Sequence, residues 1–91
     1  MNTFMAICTF KEGTVMEEVF AVSAEEQVKV RALQGEGRLG AVRLAIARGK
    51  VFLEVLAADE EIAMQTVLEL PIAKWWDIEL YPVTSPPPQN S

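Results

Sequence analysis

A chain with no histidine and a single cysteine among its 91 residues has to draw any chemistry from carboxyl, amine, guanidinium, phenol or thiol groups. Zinc, copper and haem lose their usual ligands. Carboxylates alone suit Mg²⁺ or Ca²⁺, but no EF-hand-like loop is present, so the sequence predicts neither a metal nor a cofactor. Two acidic placements stand out. Glu26 falls in the middle of an otherwise apolar helical stripe, an unusual position for a carboxylate. The stretch Leu70 to Pro82, LPIAKWWDIELYP, alternates so that Trp76, Ile78 and Leu80 point one way and Trp75, Asp77, Glu79 and Tyr81 the other. A face made only to meet water has no need of a tryptophan and a tyrosine beside its acids.

The elements that would position these groups can be read in order. Thr3 to Lys11 is a strand apolar on both faces, as a central strand is. Thr14 to Glu17 fits a capping box and opens a helix to about Gln34, with Val15, Val19, Val22, Val30 and Leu33 in one stripe. Ser23 to Glu26 offers a competing start, with a poorer stripe. Leu39 to Ala47 and Lys50 to Ala57 flank Arg48-Gly49 and read as a hairpin, with Arg43 and Glu54 opposite the apolar faces of their strands. A second helix begins at Ala58 to Glu61, where acids suit the helix dipole, and ends at Pro71. The last strand is Trp75 to Val83, and the segment 84–91 is too rich in proline for regular structure.

The order β-α-β-β-α-β predicts an α+β, ferredoxin-like domain over residues 1–83, a four-stranded antiparallel sheet with both helices on one face. Its other face would carry Arg43, Phe52, Glu54, Leu56, Trp75, Asp77, Glu79, Tyr81 and one side of the first strand. That surface is too apolar for water alone, so a second copy packed sheet to sheet is expected, closing a barrel between subunits.

Composition narrows the partners. Hydrophobic residues make up 51% of the chain, enough to fold, while a net charge of −5 with only eight Lys and Arg argues against nucleic acid and anionic membrane surfaces. No apolar run approaches the ~20 residues that span a bilayer, and no basic segment precedes an apolar one at the N-terminus, so a soluble, cytoplasmic protein is expected. Cys8, inside an apolar strand, reads as a buried small residue.

The order of elements, Gly37-x-Leu39 after the first helix, the Arg43 strand and the motif Leu70-Pro71 through Asp77-Ile78-Glu79 to Pro82 resemble muconolactone isomerase. Only the Leu70 to Pro82 stretch is specific as a motif. Leu33 and Gly37 match the end of that family's first helix, Glu26 an acidic position within it, and Arg43 an arginine of its second strand. The sequence departs from the family in lacking histidines and in carrying EGTVMEE after the first strand. The resemblance implies a dimeric α+β barrel, dimers that can build larger rings, and cofactor-free movement of a proton in a lactone of aromatic catabolism.

That reaction needs a base, a cation or donor for the substrate carboxylate, and a dry pocket. Glu26 is the first candidate for the base and Glu54 the second, since burial raises a carboxyl pKa toward neutrality. Arg43 is the candidate carboxylate clamp, its planar fork suiting bidentate binding, and Trp75 and Tyr81 the candidate walls of a substrate pocket. Structural roles stand beside each: Glu26 at a helix edge, Arg43 paired with Glu54 or Asp77 across an interface, Trp75 and Trp76 as core or interface anchors. The alternative function is therefore a non-catalytic dimeric barrel that binds a small ligand or serves assembly.

Overall fold

The computed structural model describes residues 1–85; the expected proline-rich tail, apart from Thr84 and Ser85, lies outside the described residues. Strand β1 (Asn2–Phe10) is followed by α1 (Met16–Ala21), α2 (Ser23–Gly35), β2 (Leu39–Ala45), β3 (Lys50–Ala57), α3 (Glu60–Leu68) and β4 (Trp76–Val83), with short 3-10 turns at Ile46–Arg48 and Pro71–Trp75. The strands form one antiparallel sheet in the order β2-β3-β1-β4. This is the ferredoxin-like α+β arrangement, with β3 inserted between β1 and β2.

Register assigns the faces. Phe4, Ala6 and Cys8 pair with Val55, Leu53 and Val51 across β3, and Cys8 and Phe10 with Ile78 and Trp76 across β4. These inward residues join Val19, Leu33, Ala63 and Val67 of the helices in one core, where Ala6, Cys8, Leu33, Val55, Ala63 and Val67 are fully buried. The opposite residues, Met5, Ile7, Phe52, Glu54, Leu56, Asp77, Glu79 and Tyr81, form a face that no helix covers. β1 is thus central in the sheet but fully buried on one side only, its Met5 and Ile7 half-exposed.

Four expectations change at element boundaries. The single helix from Thr14 to Gln34 is two helices broken at Val22, whose φ of −109° and ψ of 10° leave the helical region. The Ser23 hydroxyl donates back to the Phe20 carbonyl (2.9 Å), a local bond of the kind that bends helices, and Val22 is β-branched. Neither capping box forms: the Thr14 hydroxyl donates to the Lys11 carbonyl, and Val15 and Val22 occupy the N-cap positions without side-chain bonds. The β2–β3 connection is longer than the expected Arg48-Gly49, because Ile46–Arg48 wind into a 3-10 turn closed by Gly49 at φ 63°. The last strand starts at Trp76, since Pro71 opens a 3-10 turn that runs through Trp75.

Candidate functional site

Between α1, α2 and the inner face of the sheet lies a cavity of about 370 Å³. The sheet side of its wall is apolar, including Phe10, Val51 and Leu53, with Trp76 beside them. Its polar side chains, Ser23, Glu26, Gln27, Arg31 and Gln34, all come from α2, because spacings of three and four residues put them on one face of that helix. Phe20, Leu44 and Ile46 line the cavity and are also strongly exposed, so its mouth is an apolar rim open to solvent.

Glu26 is half-buried in this wall. Its Oε1 accepts the backbone N–H of Ile72 (3.1 Å), a donor in the first turn of the 3-10 turn, and no other bond from the described residues engages the carboxyl. Burial raises the Glu26 pKa above the ordinary carboxyl value, and the Ile72 hydrogen bond partly offsets it. The consequence reaches Cys8: burial first, then the nearby Glu26 charge, pushes its thiol up to about 12, so Cys8 is a protonated core residue and not a nucleophile.

Trp76 is 4% exposed, and its ring meets Phe10 edge to face at 6.2 Å between centroids. Its indole Nε1–H is buried and has no partner among the described residues. A buried donor left unpaired is uncommon and calls for an explanation.

The other candidates lie elsewhere. Arg43 pairs in register with Phe52 and so stands on the uncovered face, across the sheet from Glu26. Glu54 shares that face, where its carboxylate sits over Gly40 and accepts the Ala41 N–H at 3.4 Å, within the irregular register between Leu39 and Val42. Arg43 makes no ion pair with Glu54 or Asp77 among the described residues. Tyr81 is on the same face and donates to Glu79 Oε2 (2.5 Å), which raises its phenol pKa. Trp75 precedes β4, packs against the core cluster and carries Lys74 Nζ 4.5 Å above its ring, so it does not share a strand face with Tyr81. The five candidates therefore separate: Glu26 in the cavity, Arg43, Glu54 and Tyr81 on the open face, and Trp75 at the foot of β4.

Two groups carried no sequence signal. Arg31 reads as one more solvated helix charge until the break at Val22 and the course of β2 bring α2 alongside the cavity. Arg38, just before β2, bonds to Glu69, Glu36 and the Thr66 hydroxyl, and the hydrogen bond from Arg38 holds the Glu69 carboxyl below its ordinary range. That network joins α3 to the α2–β2 turn and is structural. Among the described residues no cluster of acids, cysteine or histidine could hold a metal ion, and no helix is long and apolar enough to cross a membrane. Comparison with protein families gives no match, and comparison with curated proteins gives no significant relative.

Proposed function

We propose that this protein is a cofactor-independent isomerase of the muconolactone isomerase type, acting on a small carboxylated lactone in the cavity beneath α2. The observation that carries the reading is Glu26: a half-buried carboxyl of raised pKa facing a cavity with an apolar sheet floor, with one oxygen not engaged by the described residues. A carboxylate whose pKa is raised by burial is a better base. In the reaction Glu26 takes a proton from a ring carbon next to the carbonyl system. The C–H electron pair spreads onto the carbonyl oxygen, and the same carboxyl returns the proton at the other end of the conjugated system. No oxidant or cofactor is required.

Glu54 is the weaker candidate because it already serves the backbone at Ala41 on the opposite face. The test is turnover of muconolactone by the wild type and by Glu26→Gln, which keeps an acceptor for the Ile72 N–H. Loss of a general base typically costs about 10²-fold to 10⁴-fold, and we expect a loss in that range with the fold intact. Equal rates in both proteins, or no turnover of any conjugated lactone, would overturn the assignment.

The second reading, a non-catalytic dimeric barrel, draws on the uncovered face. Met5, Ile7, Phe52 and Leu56 make its half-exposed apolar centre, with Arg43 on edge strand β2 and Asp77 and Glu79 on the opposite edge strand β4. A two-fold axis lying between the two faces and parallel to the strands sets one copy's basic edge against the other's acidic edge. A homodimer closed this way is compatible with either function.

A further inference from the structure

We propose that the ligand of this cavity is a lactone carrying a linear alkyl chain, with its ring beside Glu26 and its chain laid across the inner face of the sheet to Leu44 and Ile46, under Phe20. The inference rests on reading the cavity as the substrate site, and it enlarges the lactone by an apolar chain.

The cavity is long in one direction. Its floor takes a residue from every strand, Trp76 of β4, Phe10 of β1, Val51 of β3 and Leu44 of β2, so it crosses the sheet from one edge to the other. With neighbouring strands about 4.8 Å apart, β4 and β2 lie about 14 Å from each other. Glu26 marks the β4 side, because its carboxyl accepts the N–H of Ile72 in the turn that leads into that strand. The β2 side is apolar and open: Leu44 and Ile46 are 64% and 73% exposed, and Phe20 of the six-residue helix α1 is 65% exposed.

Size points the same way. An apolar cavity of ~150 Å³ holds a benzene-sized ligand of about six carbons, so a cavity of about 370 Å³ takes, in proportion, about fifteen non-hydrogen atoms. A lactone ring with its carbonyl oxygen uses about six of them and leaves about nine. Apart from Glu26, the polar side chains that reach the cavity sit at exposed positions of α2, so the floor between Glu26 and Leu44 offers a ligand nothing but apolar surface. Methylenes match that surface, and laying them there removes Phe20, Leu44 and Ile46 from water as well. A linear chain fits a trough that runs across four strands, whereas a second compact ring would fill one end of it and leave the β2 edge bare.

Saturated γ-lactones have no ring double bond to move and form a graded series of probes: γ-hexalactone, γ-octalactone, γ-decalactone and γ-dodecalactone. Titrated calorimetrically into the intact chain, each added methylene should tighten binding by about 2-fold to 4-fold through γ-dodecalactone. In the double variant Phe20→Ser, Leu44→Ser, whose positions are exposed enough to leave the fold intact, γ-dodecalactone should lose at least about 5-fold in affinity and γ-hexalactone less than about 2-fold. A flat series, or equal losses for the short and the long lactone, would overturn the inference. So would a wild-type association, seen by light scattering, that the double variant lacks, since a second copy would then cover the rim. These are equilibrium readings, independent of turnover. A steep series in a protein that turns over no conjugated lactone would support the ligand class and remove the isomerase assignment, whereas a flat series in an active enzyme would leave the role of Glu26 standing.

Discussion

Glu26 does two things with one side chain. It accepts the Ile72 N–H and so ties α2 to the 3-10 turn before β4, and it places a carboxyl of raised pKa in the cavity. The second has a stability consequence whose sign is fixed. With its native pKa above the unfolded value of 4.5, the folded chain keeps a proton that the unfolded chain has released. Its contribution is fully present below the unfolded value and declines as pH rises through the native pKa, after which it is constant. Glu26→Gln has no such titration. Urea denaturation of both proteins from about pH 4 to about pH 8 should therefore show the wild type losing ground to the variant as pH rises, with the difference levelling once Glu26 is ionised. A difference that is flat across this range would contradict the raised pKa. Glu69 acts in the opposite window: held low by Arg38, it contributes above 4.5 and loses its contribution as pH falls below that value.

At the scale of elements, α3 has the side-chain cap that the first helical region lacks. Asp59 Oδ1 accepts the Ile62 N–H at 2.9 Å, while Glu60 and Glu61 occupy the first turn. Asp59→Ala should cost about 1 kcal/mol in chemical denaturation, whereas Thr14→Ala, at a position expected to cap but lying outside the helix, should cost less than half of that. Equal costs would contradict the assigned caps. The pair also shows what the sequence makes legible. Strand alternation was readable because burial on one face repeats with period two, and the register keeps Trp76, Ile78 and Leu80 inward. Glu26 was noticeable as an exception within an apolar stripe, and it remains half-buried even though the helix that suggested the stripe is broken. The break at Val22 was less legible, because both capping patterns are locally plausible and the choice falls to the bond from Ser23 to Phe20 and the packing of Val19. Trp75 lies one residue before the strand that the alternation predicts it to open, which moves it from an alternating strand face to a turn. Arg31 and the unpaired Trp76 N–H were out of reach, since both depend on which elements meet across the core.

For the whole molecule, the half-exposed apolar centre of the uncovered face sets the expected assembly. Removing Phe52, Ile7 and Leu56 from water is favourable, and a second copy offers a matching surface. Light scattering should find the wild type as a dimer or a multiple of one. Phe52→Glu, which places a charge at the middle of that face, should give monomers with native circular dichroism. A wild-type monomer, or a Phe52→Glu variant that still associates, would contradict packing through the sheet.

The segregation of the cavity's polar side chains onto α2 gives the fold a division of labour. The sheet and α3 carry most of the buried core, whereas Gln27 and Arg31 are exposed on α2, line the cavity and make no side-chain hydrogen bond or ion pair among the described residues; Gln34, also exposed, donates its Nε2–H to the Gly40 carbonyl (3.0 Å). Surface substitutions of this kind usually change stability by no more than about 0.5 kcal/mol. If the cavity takes a ligand as proposed, its preference can be altered at Gln27 and Arg31 with little effect on folding, α2 serving as an exchangeable wall over a fixed apolar floor.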